Sequence, residues 1–424
     1  MYEKYIINYM ILEKQGLAYR DLTIVPAVIS DVDSRKECNI FYEDGNLPIF
    51  ASPMMTVVNE HNYKIYKDNK INVILPRTIK YKERIGFLNN DEWVAFSLKE
   101  FKRLFCYLPE EPVQNIFKQE KGKTYRVLID MADGHMHSLY NTTFEAKRIA
   151  KNYGYELIIM VGNIANPETY RWICENTYVD YVRLAIGSGA NCITASNTGV
   201  HYPIATLIDE CKQIKDELHG EMDYYEPGTD YTDVKCLPYL VADGGIKNYC
   251  DINKALALGA DYVMIGSLFG QLLESSADMI IESRDNAQYP AVYDGETGKV
   301  VYYTSYGSKK LNIWNGNTEE EKRSFIRSVK SIKKRLIGMS TKEAQIAIAR
   351  CLEEPKELTP DMLKTSEGIT TFVECKYTLS QWLENMMDYL KSGMSYCNCF
   401  TLEEFKNNCD LIINSPAEIQ AVNR

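Results

Sequence analysis

Eight short apolar runs recur along this 424-residue chain, at 47–53, 71–77, 93–98, 125–132, 156–163, 181–186, 237–244 and 262–267. Several carry branched aliphatic residues at both odd and even positions. A strand with one wet face alternates apolar and polar residues, so runs of this kind indicate strands buried on both faces, as in a parallel sheet. Parallel neighbours need crossover connections, and helical patterns fill most of the intervals, among them 139–153, 203–218 and 249–258. In the first of these Phe144, Ala146 and Ile149 fall near one face, and Gly154 follows as a C-cap. Eight strands alternating with helices predict a (β/α)8 TIM barrel; an open doubly wound sheet is the alternative that periodicity leaves standing.

Beyond the eighth run the pattern changes. Asp294-Gly295-Glu296-Thr297-Gly298 separates two extended pieces and predicts a hairpin. Residues 319–337 read as a charged helix, with Lys330, Lys333, Lys334 and Arg335 on a solvated face. Ser340 to Glu343 reads as a capping box opening a helix to about Leu352, and 379–390 as a helix ended by Gly393. The expectation is a barrel made of 1–284 and 364–424, with 285–363 a long insertion at its top, as a flap, an oligomer arm or a partner surface.

Charge narrows the partners. The net charge is −10, from 58 acidic against 48 basic residues, which argues against a general nucleic-acid binder. It does not oppose one bound nucleotide, because a nest of backbone N–H groups holds a phosphate. Twelve scattered cysteines and a polar, aromatic start (MYEKYIINY) suggest reduced thiols and a cytoplasmic location. Cys397-Asn398-Cys399 is the one close pair, and two thiols in a turn is its commoner meaning. No apolar run reaches membrane-spanning length.

The most informative segment is 186–203, IGSGANCITASNTGVHYP, which follows a strand and leads into a helix. Gly187, Gly189 and Gly199 free its backbone to aim N–H and C=O groups at a ligand or ion. Cys192 lies mid-loop at the end of a barrel strand, where enzymes of this fold keep catalytic groups. A loop cysteine by itself is usually an idle thiol. Glycines on both sides, and Thr194 two residues on, tilt the balance toward a nucleophile.

This loop resembles the catalytic loop of the IMP dehydrogenase / GMP reductase family, and other segments match in the same order: YRDLTIVP at 19–26, FASPMMTV at 50–57, IDMADGHMHS at 129–138, MVGNIANP at 160–167, ADGGI at 242–246, VMIGS at 263–267, YYTSYGS at 302–308, TSEG at 365–368 and SGMSYC at 392–397. The resemblance implies Cys192 as nucleophile toward purine C2, with Thr194 and Glu367 moving its proton. It places Ser52 and Met54 at the substrate, with the methionine against the purine base. Asp243 takes the ribose hydroxyls. Gly244, Gly245, Gly266 and Ser267 take the phosphate, together with Tyr303, Gly307 and Ser308. Asp130 and Asn163 hold the nicotinamide, and the carbonyls of Gly187, Gly189 and Cys192 a potassium ion. A homotetramer is implied too.

The sequence departs from the family's pattern at four of these places. Ala190 stands for a phosphate-binding serine, Met55 for an aspartate, Arg183 for a lysine and Ala185 for a glycine. They leave open whether the substrate is a standard monophosphate. The dehydrogenases' regulatory domain is absent between Arg77 and Trp93, and no Arg-Tyr pair lies between Gly307 and Glu367; an arginine such as Arg350 could substitute, but nothing singles it out. The first reading is therefore a GMP reductase-like enzyme using NADPH. An IMP dehydrogenase using NAD is the second, and a purine-nucleotide-binding barrel without turnover the third.

Overall fold

The computed structural model describes residues 15–106, 119–223, 236–303, 310–315, 318–363 and 365–422. After β1 (Leu22–Ile24), eight strands close into a parallel barrel: β2 (Ile49–Ala51), β3 (Asn72–Leu75), β4 (Trp93–Phe96), β5 (Thr124–Ile129), β6 (Glu156–Ile164), β7 (Tyr181–Leu184), β8 (Tyr239–Asp243) and β9 (Tyr262–Ile265). Pairing of β2 with both β3 and β9 shuts the ring. The chain is a (β/α)8 TIM barrel, and the open sheet is excluded.

The two-residue period of a strand explains why the runs are apolar on both parities. Phe50, Ile74, Trp93, Ala95, Leu128, Met160, Val241, Tyr262 and Met264 fill the barrel interior. Their neighbours Ile49, Ala51, Val73, Leu75, Val94, Phe96, Val127, Ile129, Leu240 and Val263 pack outward in the core shared with the helices. One step of the same period beyond the interior layer falls at Ser52, Asp130, Arg183, Asp243 and Gly266. Polar residues there form a floor rather than a core.

A second sheet follows the barrel. Its strands are β10 (Met279–Glu282), β11 (Gln288–Asp294), β12 (Lys299–Tyr303), β13 (Lys310–Asn315), β14 (Ser331–Ile337) and β15 (Thr370–Glu374), in the order β13-β12-β11-β10-β14-β15, all antiparallel. The expected hairpin is present as β11 and β12, with Asp294 opposite Lys299. The sheet has its own apolar core, in which Phe325 of the helix Glu319–Ser328 packs with Leu273, Met279 and Ile332. The chain then returns to the barrel through the helix Leu379–Tyr396, and β16 (Leu411–Ile413) pairs with β1. No helix among the described residues is long and apolar enough to cross a membrane.

Three expectations are corrected here. The charged helix ends at Ser328, and residues 331–337 form β14, whose inward positions are Ile332, Lys334 and Leu336. Lys334 is therefore no part of a solvated face: it is fully buried, and its ammonium donates to the carbonyls of Leu273, Ser275 and Ala277 at 2.9, 3.2 and 3.2 Å. The N-cap of the helix Lys342–Arg350 is Thr341, whose hydroxyl accepts from the Ala344 N–H at 3.1 Å; Glu343 is held instead by a two-pronged bond from Arg335. Gly393 ends no helix. It lies inside one, where a Cβ would sit 2.7 Å from the Asn253 amide nitrogen, so it serves close helix approach.

Burial pushes the Lys334 ammonium from 10.5 down to about 8. A folded-state value below the unfolded one means that the fold binds this proton more weakly. Above about pH 10.5 the lysine is neutral in both states, and the penalty grows as pH falls to about 8. Wild type should therefore gain about 3 kcal/mol relative to Lys334→Met as pH rises across that window. Paired denaturant titrations at each pH check this; a flat difference would mean the site imposes no such penalty.

Candidate active site

The polar floor lies beneath a cavity of about 650 Å³ at the C-terminal ends of the barrel strands, a size suited to a small organic ligand. Ser52, Met54, Asp130, Asn163, Cys192, Thr194, Asp243, Gly244, Gly245, Gly266, Ser267 and Glu367 all line it. So do Gly187 and Gly189. Tyr303 closes β12 in the second sheet, and Gly307 and Ser308 lie outside the described residues.

Cys192 is presented by a stitched loop. Its N–H donates to Gly189 O at 3.0 Å, making a tight turn. Ile193 N–H donates to Glu367 O at 2.8 Å, and Ile369 N–H to Asn191 O at 3.0 Å. The Asn191 side chain donates to Leu336 O, Ile369 O and Thr371 Oγ1. The segment 367–369 is thus laced to the cysteine loop by backbone bonds. Along that seam the Cys192 thiol donates to Thr194 Oγ1 at 3.2 Å, and Thr194 donates to Glu367 Oε2 at 2.7 Å. This is a continuous path for a proton from sulfur to carboxylate.

Ala185, at the base of this loop, has φ +103°, a region that strains any residue with a Cβ. Ala185→Gly is expected to raise stability by about 1 kcal/mol, read as a higher denaturant midpoint. A lower midpoint would show that the buried methyl outweighs the relieved backbone.

The floor is a chain of charge. Arg183 donates through Nε and one terminal nitrogen to Asp243 Oδ2, at 3.0 and 2.7 Å, and through the other to Asp130 Oδ1 at 3.0 Å. Burial opposes its charge, but Asp243 and Asp130 outweigh that and hold its pKa above the usual value. Asn163 Nδ2 donates to the same Asp243 oxygen at 2.8 Å. Asn163 therefore steadies Asp243 across the floor. Gly245 N–H donates to Ser188 O at 2.9 Å, and a Cβ on Gly244 would sit 3.1 Å from Gly189 N, so the DGG turn and the cysteine loop pack back to back.

Sequence reasoning missed the roof and one wall. Met339, Gln345, Ile348, Ala349, Leu352 and Lys356 cover the cavity from the connection between β14 and β15. The spacing of Gln345, Ile348, Ala349 and Leu352 is one helical face, which was legible as a helix though not as a ceiling. Arg350 is exposed and absent from the lining. The roof is fastened to the barrel by Arg84, fully buried against Glu100 at 2.7 Å, which also donates to Cys351 O at 3.3 Å; Cys351 donates to Thr78 O at 2.9 Å. Arg77 also lines the cavity, its NH1 3.9 Å from Asp130 Oδ2. Buried Arg77 Nε and Ser188 Oγ have no hydrogen-bond partner among the described residues. Both residues line the cavity, and such atoms call for a polar ligand.

Residues 119–310 match the family model described as the IMP dehydrogenase / GMP reductase domain. The GMP reductases of Staphylococcus aureus strains JH9, Mu50 / ATCC 700699 and Newman are each 29% identical to this chain over 279 residues, covering 64% of it and 75% of their own length. The segment matched by the family model holds Asp130, Asn163, Arg183, Cys192, Thr194 and Asp243; Glu367 and the roof lie beyond it.

Proposed function

We propose that this chain, which matches the IMP dehydrogenase / GMP reductase domain over residues 119–310 and resembles GMP reductases, is a purine-nucleotide oxidoreductase that reduces GMP: GMP, NADPH and two protons give IMP, NADP and ammonium. The observation that carries this reading is the Cys192–Thr194–Glu367 path. A second supports it: among the described lining residues the roof offers Met339, Gln345, Ile348 and Leu352 but no arginine or tyrosine to activate a water.

On this reading the Cys192 sulfur, its proton passed through Thr194 to Glu367, bonds to purine C2. The C2–nitrogen bond then breaks as Thr194 returns that proton to the departing amine, which leaves as ammonia. The covalent product is a thioimidate on Cys192. A reduced nicotinamide, when bound, supplies the hydride that C2 takes up. Cys192 then departs from C2 as thiolate and takes up a proton from solvent by way of Glu367 and Thr194, which restores the thiol for a second round. Asp243 accepts from the ribose, and the Gly244, Gly266 and Ser267 backbone offers N–H groups to the phosphate, whereas the Gly245 N–H is already bonded to Ser188 O. Asp130 and Asn163 face the nicotinamide side, where the unpartnered Arg77 Nε fits a polar carboxamide. A stacked purine and nicotinamide suit the enclosed volume.

Purified protein mixed with GMP and NADPH should lose absorbance at the nicotinamide band and release ammonium. No loss there, with NAD reduced in the presence of IMP and a dependence on potassium, would reverse the direction.

A further inference from the structure

Arg183 is built into the floor with unusual care. Opposite Arg183 and Leu184 the register of β6 slips between Gly162 and Ile164. A Cβ on Gly162 would lie 2.6 Å from the Arg183 carbonyl oxygen and 2.9 Å from its Cβ. The backbone of β6 thus presses directly on Arg183, and only glycine permits it. The Arg183 side chain is 9% exposed, and its guanidinium bridges two carboxylates.

The bridge is lopsided. Asp243 Oδ2 accepts from Arg183 Nε, from an Arg183 terminal nitrogen and from Asn163 Nδ2, at 3.0, 2.7 and 2.8 Å. Three donors exhaust that oxygen. No hydrogen bond among the described residues reaches Oδ1. A carboxylate that grips a vicinal diol ordinarily offers one oxygen to each hydroxyl; here one of the two is already taken.

We propose that Arg183 sets the sugar specificity of the site: by filling Oδ2 of Asp243 it leaves one carboxylate oxygen to read the ribose, so that one hydroxyl is recognised strongly and its neighbour hardly at all. The inference rests on the GMP reading of the cavity. It makes the protein a binder of ribonucleotides that accepts the loss of one particular hydroxyl. Arg183 acts through Asp243 and is a positioning residue. A lysine at 183 carries a single ammonium and no planar fork, so it cannot hold Oδ2 with two bonds while reaching Asp130.

Calorimetry with GMP, its 2′-deoxy analogue and its 3′-deoxy analogue tests this. In the wild type one analogue is expected to lose at least about tenfold in affinity and the other less than about threefold. In Arg183→Lys, checked for an unchanged melting profile, Oδ2 loses the two-bond Arg183 fork and keeps only the Asn163 donor, so it can accept a hydroxyl and the tolerated analogue should now lose about tenfold. The wild-type measurement decides even if that variant fails to fold. GMP binding with both analogues weakened about equally overturns the role of Arg183 and spares the functional reading. Absence of GMP binding overturns both.

Discussion

Replacing Cys192 by alanine is expected to cut turnover of GMP at least about ten-thousand-fold, with GMP affinity held within about threefold. The asymmetry follows from the site. On the proposed reading, polar contacts to the nucleotide come from Asp243, the DGG turn and Ser267, none of which leans on the sulfur, whereas every covalent step passes through it. The loop keeps its shape in the variant, because its turn is made by backbone bonds from Cys192 to Gly189 and from Ile193 to Glu367. Stopped-flow absorbance with excess NADPH, beside calorimetry, measures both quantities. Turnover within tenfold of wild type would remove the covalent mechanism and leave the cavity a binding site.

Glu367→Gln should lower turnover by about a hundred- to ten-thousand-fold, the range expected when a proton-transfer group is lost. Glutamine preserves size and still accepts from the Thr194 hydroxyl at the 2.7 Å contact, but it cannot take the proton. Thr194→Val severs the same path one atom earlier, so the double variant should be no worse than about threefold below the poorer single variant. Additive losses would mean that the two residues work separately. Turnover within threefold of wild type in Glu367→Gln would reassign the base.

Much of this architecture is local and therefore readable. The eight barrel strands announce themselves through residues apolar on both parities, and Asp130 and Asp243 follow as the next inward positions. Cys192 and Thr194 are two residues apart. Glu367 is 173 residues from Thr194, and only the resemblance to a known motif joined them. Arg77 and Gln345 were missed because nothing local marks a residue as a wall of a distant cavity. Strand β14 was misread for a different reason. Its inward row is Ile332, Lys334 and Leu336, and the alternation disappears when a lysine is assumed to face water. Arg183 was visible only as a departure from a pattern. Its meaning lay in Asp130 and Asp243, 53 and 60 residues away.

Glu367 and the cavity roof share one connection, which leaves the second sheet at the end of β14 and re-enters it at β15. Replacing residues 338–369 by a short linker would consequently give, on the proposed mechanism, a vessel with its sulfur and its nucleotide grips but with neither proton store nor cover. Supplying residues 338–369 as a separate peptide becomes a complementation assay, in which chemistry returns only when the peptide reassociates. On the proposed mechanism, the ornament around the rim carries half of the working parts.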